Sequence, residues 1–98
     1  MSNNTKRWIH VSFSWPPGAD PSQFEDLFNN AKDWIKYSHN CWLVYTGRSG
    51  QTWCDRIRAL PGMSKQNVLV LEVGDVQDAA GRLPQWMWDK LYEYDDVG

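Results

Sequence analysis

The chain has 98 residues, 42% of them hydrophobic and 22% charged, which suits one soluble globular domain and is too short for two. The net charge of −2 opposes a broadly basic nucleic-acid binder, and no apolar run reaches the ~18–20 residues of a transmembrane helix. The polar start Met1-Ser2-Asn3-Asn4-Thr5 leads into no apolar signal-type segment, so a cytoplasmic protein with no membrane contact is expected.

Residues 7–15, Arg-Trp-Ile-His-Val-Ser-Phe-Ser-Trp, alternate strictly and predict a first strand. Ile9, Val11, Phe13 and Trp15 share one face, while Trp8, His10, Ser12 and Ser14 share the other. Pro16-Pro17-Gly18 ends the ladder. Asp20-Pro21-Ser22-Gln23 then reads as a helix start, with Asp20 as N-cap, Pro21 in the first turn and Gln23 closing a capping box. Phe24, Leu27, Phe28, Ala31, Trp34 and Ile35 recur at helical spacing, and the helix is expected to fray near Asp33.

Trp34-Ile35-Lys36-Tyr37 and Cys41-Trp42-Leu43-Val44-Tyr45-Thr46 predict two short strands, hairpinned through Ser38-His39-Asn40. The segment Thr46-Gly47-Arg48-Ser49-Gly50 forms a loop. It reads as a tight turn and cap, with an anion site built on Arg48 as the sharper alternative. A second helix is expected over about 51–60, capped by Ser49 or Thr52, with Trp53, Ile57 and Leu60 as its apolar stripe and Pro61-Gly62 as its stop. Asn67–Val73 is apolar on both faces and predicts a central strand. Residues 83–92 close the chain as a short helix with Pro84 in its first turn, and the ends, 1–6 and 95–98, are expected to fray.

The order β-α-β-β-α-β plus a terminal helix predicts an α+β, ferredoxin-like domain spanning 1–98, with a four-stranded antiparallel sheet and two helices on one face. Trp8, His10, Trp42 and parts of the last strand are then expected on the open face, covered by the terminal Trp-rich segment or by a second subunit.

The strand at 8–15, the aromatic stretch Trp34-Ile35-Lys36-Tyr37, Trp42-Leu43-Val44, the Leu-Val-Leu-Glu-Val strand and the closing Leu83-Pro84 to Trp88 helix resemble the SinR-like family. That group is related to VapD and to the small CRISPR-associated adaptation endonuclease subunit. The resemblance implies a ferredoxin-like protomer, a homodimer and, in the nuclease branches, a metal-binding Asp at the end of the first strand. This sequence has Ser14 there (or Ser12 under a two-residue shift), and a neutral hydroxyl is a poor ligand for a hard divalent ion.

Charge is uneven. Arg48, Arg56, Arg58 and Lys65 against Asp55 give residues 48–65 a charge of +3, whereas residues 66–98 carry −5. The four cations are candidate contacts to an anion or nucleic acid, although the net charge disfavours the latter. Seven Trp in so small a domain point to interface anchors: Trp8, Trp42, Trp86 and Trp88, with Tyr92. His10, His39, Cys41 and Cys54 lack paired zinc-ligand spacing, and no metal, cofactor or catalytic residue is implied. The expectation is a non-catalytic protein-interaction module, homodimeric, with a protein partner, acting as an inhibitor or regulator of a defence or nucleic-acid-processing complex. The alternatives are a metal-dependent endonuclease and a non-cleaving nucleic-acid binder.

Overall fold

The structure, a computed structural model, describes residues 6–15, 18, 20–73 and 80–94. The expected fraying at 1–5 and 95–98 lies outside them. The elements run β1 (Arg7–Phe13), α1 (Pro21–Phe28), β2 (Asp33–Ser38), β3 (Cys41–Thr46), α2 (Gly50–Arg58), β4 (Val68–Glu72) and α3 (Gln85–Glu93). The fold is α+β, with one four-stranded antiparallel sheet in the order β2-β3-β1-β4.

Local chemistry sets most boundaries. The Asp20 carboxylate accepts the Ser22 backbone N–H at 3.0 Å, and Pro21 opens α1 where no N–H is needed. α1 stops at Phe28, well before Asp33. Asn30 and Ala31 donate to carbonyls only three residues back, and the Lys32 N–H already reaches Tyr45 O at 3.0 Å. The β2–β3 ladder thus takes Trp34 and Ile35, which fitted the helical period equally well. Ser49 caps α2 by accepting the Thr52 N–H at 3.1 Å. Gly62, at φ +81°, lets the chain turn after it.

The sheet has two covered sides. Under α1 and α2 lie Ile9, Val11 and Phe13 of β1, Trp42 and Val44 of β3, and Phe24, Phe28, Trp53, Ile57 and Met63. On the other side α3 sets Met87 and Leu91 over Trp8 and Ile35.

Two expectations need correcting. Trp42 is on the helix-covered face, not the open one, because it pairs with Val11 across the ladder and cross-strand partners share a face. It is wholly buried and stacks on Phe13 at 5.0 Å. β4 is an edge strand, not a central one. Its Val68 and Val70 pack against the helix-side core, while Leu69 and Leu71 face the α3 side. An apolar run on both faces came from two half-covered surfaces rather than from a strand flanked on both edges.

Candidate functional site

Among the described residues, the second face of the sheet is only partly roofed. At one end α3 is tied down: the Trp8 indole donates to Leu91 O at 3.2 Å, and Tyr94 stacks on Tyr45 at 4.3 Å. Asp33 accepts from both Lys90 Nζ and the Tyr94 hydroxyl at 3.1 Å. Along β1 this cover thins from buried Trp8 to half-buried His10 and Ser12. Beside those two, on β4, stand Leu71 and Leu69 in register, each 52% exposed.

Where the cover thins there is a pocket of about 450 Å³, walled by His10, Tyr37 and Leu43 from the sheet and by Arg82, Leu83 and Trp88 from the α3 side. His10 Nε2 meets the Tyr37 hydroxyl in a short hydrogen bond, and among the described residues the buried His10 Nδ1 has no partner. Burial lowers the His10 pKa below its ordinary value. Burial, with the Cys41 thiol adding to it, pushes the Tyr37 hydroxyl up to about 12. Both groups therefore stay neutral at physiological pH, and among the described residues no carboxylate walls the pocket. The pair can donate and accept hydrogen bonds, and the Cys41 thiol stands beside Tyr37.

The Trp and Tyr candidates divide. Trp8 and Trp42 are buried within the chain itself, at 3% and 0% exposure. Trp86 and Tyr92 are exposed at 53% and 39%, and Trp88 is half-buried, stacked on Tyr92 at 6.1 Å. Only the α3 members of that group offer area outward.

The four cations divide as well. Arg48 precedes α2, whereas Arg56 and Arg58 sit in its last turn, roughly 12–15 Å away along the axis. The Arg56 guanidinium lies 5.9 Å from the Trp53 ring, and Arg58 and Lys65 are exposed. Arg48 instead shares a cleft with Lys6 and Lys32, residues that segment-by-segment charge counting did not bring together. Leu69 and Leu71 lie on the face expected for parts of the last strand but were not singled out, and Tyr37 was missed. The alternation inside β4 held the first two, and nothing in the sequence paired Tyr37 with His10.

The residues do not fit the divalent cation that the resemblance implies. The Ser14 hydroxyl donates to Gln66 Oε1 at 2.6 Å and accepts the Asn67 N–H at 3.2 Å, so it joins the ends of β1 and β4. Asp20 is engaged as a cap, and Glu72 is bonded to Arg7 at 2.7 Å. Among the described residues no three His, Cys, Asp or Glu side chains converge as a metal site, and no helix is long and apolar enough to cross a membrane. Comparison of the chain with family models, with curated proteins and with solved structures finds no match.

Proposed function

We propose that this chain is a small non-catalytic interaction module that pairs with a second copy of itself through β4. The observation that carries the reading is the exposure of Leu69 and Leu71, 52% each, on an edge strand. The sheet order β2-β3-β1-β4 supports a ferredoxin-like protomer of the kind the SinR-like resemblance implies.

The strand's chemistry favours a copy of itself. Ser14 N–H to Asn67 O and Val73 N–H to Trp8 O bracket the β1–β4 ladder. By the antiparallel alternation, Val68, Val70 and Glu72 then direct their backbone groups away from β1, toward the open edge. A two-fold pairing centred on Val70 puts Leu69 of one copy opposite Leu71 of the other. It sets Glu72 opposite Val68, so no like charges meet. Two five-residue strands bury less than the ~1,600 Å² of a standard interface, which makes a micromolar dimer the expectation.

Sedimentation equilibrium from micromolar to millimolar protein tests this. The wild type should approach twice the 11.4 kDa protomer mass. Leu71→Lys, which places a charge on the exposed edge, should stay monomeric and folded. A wild type that is monomeric throughout, or a Leu71→Lys variant that dimerises as well as wild type, would refute the reading.

A further inference from the structure

We propose that the cleft bordered by the start of β1, the α1–β2 connection and the β3–α2 connection binds a small oligophosphate anion. This inference does not depend on self-pairing. The cleft has a volume of about 460 Å³, within the ~300–1,000 Å³ usual for small-ligand sites. Lys6, Lys32 and Arg48 line it, and among the described residues no carboxylate does.

The nearby acids are committed elsewhere. Asp33, next to Lys32 in the chain, is held by Lys90 and Tyr94 on the opposite face of the sheet. Glu72 is held by Arg7 at 2.7 Å. Among the described residues Lys6, Lys32 and Arg48 form no ion pair. Three cations from three separate segments therefore share one concavity, in a chain whose acids outnumber its Lys and Arg by 12 to 10. Like charges gathered in a cleft raise the local positive potential, and a multivalent anion relieves the repulsion among them.

The backbones that carry these side chains are braced. The Lys32 N–H is fixed on Tyr45 O, and the Arg48 N–H on Thr46 Oγ1 at 3.1 Å. A single Arg7 nitrogen donates to Thr46 O and Arg48 O, both at 2.7 Å. Arg7, whose own charge is paired with Glu72, thereby stitches the strand end to the loop. Among the described residues the lining is mostly polar and has no aromatic side chain on which a base could stack, so phosphate oxygens are what the site can recognise.

Isothermal titration of the whole protein with tripolyphosphate, beside inorganic phosphate and a hydroxyl-ended single-stranded RNA, tests the proposal. Tripolyphosphate should bind more tightly than phosphate and weaken as salt rises. Lys32→Gln and Arg48→Gln, both at exposed side chains, should each weaken it about tenfold or more. Arg56→Gln/Arg58→Gln, at the far end of α2, should leave it unchanged. Thermal melts confirm that the variants fold. Absence of tripolyphosphate binding at millimolar concentration overturns the proposal, as does equal weakening by the Arg56/Arg58 variant. RNA binding more tightly than tripolyphosphate overturns the small-molecule assignment.

Discussion

Ile57→Ala probes the packing on which every other feature rests. Ile57 is fully buried, at 0% exposure, on the inner face of α2 among Phe28, Val44, Trp53 and Met63 of the helix-side core. The substitution deletes three carbons, worth about 2.4 kcal/mol of transfer free energy at ~0.8 kcal/mol each. If the surroundings keep a void of roughly 60 Å³, the cavity adds about 1.4 kcal/mol. A loss of about 2–4 kcal/mol follows, the lower end if Leu60 and Trp53 relax into the gap. That is a large share of the ~5–15 kcal/mol expected for a chain of 98 residues. Urea unfolding should show a lower midpoint at an unchanged slope, and the melting temperature should fall by about 4–8 °C per kcal/mol. A loss below about 0.5 kcal/mol, the range of surface substitutions, would show that α2 does not bury this face.

Thr46→Val should cost about 1–3 kcal/mol despite its conserved volume. It removes the buried hydroxyl that accepts the Trp53 indole N–H at 3.2 Å and the Arg48 N–H at 3.1 Å; chemical denaturation with Thr46→Ser as control reads it. The His10 pKa is lowered in the folded state, so the unfolded chain binds more protons as pH falls through about 6.5, and stability contributed above that pH is lost below it. Urea midpoints between about pH 7.5 and 5 should therefore fall less steeply for His10→Gln than for wild type; parallel curves would contradict this. The protein should not cut single- or double-stranded RNA or DNA with Mg²⁺ or Mn²⁺, because Ser14 brings no negative charge to the strand end. Metal-dependent cleavage by the wild type that Glu72→Ala abolishes would restore the endonuclease reading.

Where one segment carries its own signal, the sequence was sufficient. The alternation of β1, the Asp20 and Ser49 caps and the apolar stripe Trp53–Ile57 are each set by neighbours within one turn or one pleat. What failed to read out depends on register. In β3 both alternating sets are apolar, Trp42–Val44 and Leu43–Tyr45, so only pairing with Val11 and His10 decides which set meets the helices. The edge position of β4 is a fact about its missing neighbour, and no property of Val68–Glu72 encodes it. The cationic cleft is similar. Lys6 and Lys32 belong to a stretch whose charges cancel along the chain, yet folding sends Asp33 to the other face and leaves the lysines with Arg48.

The central place of β1 also bears on how the chain must be made. Both strands that flank it come later in the sequence: Cys41 pairs with Ser12, Thr46 with Arg7, and β4 closes the other side only from Val68 onward. A ribosome adding about 5–20 residues per second leaves Ile9, Val11 and Phe13 unpaired for seconds before β3 emerges, and longer before β4 does. Once β3 has emerged, the β2–β3 hairpin is the ladder closed by the shortest stretch of chain, and β1 pairs with β3 across a longer loop. Nascent β1 is thus an apolar strand waiting for its template, the segment of this protein most in need of a chaperone's protection.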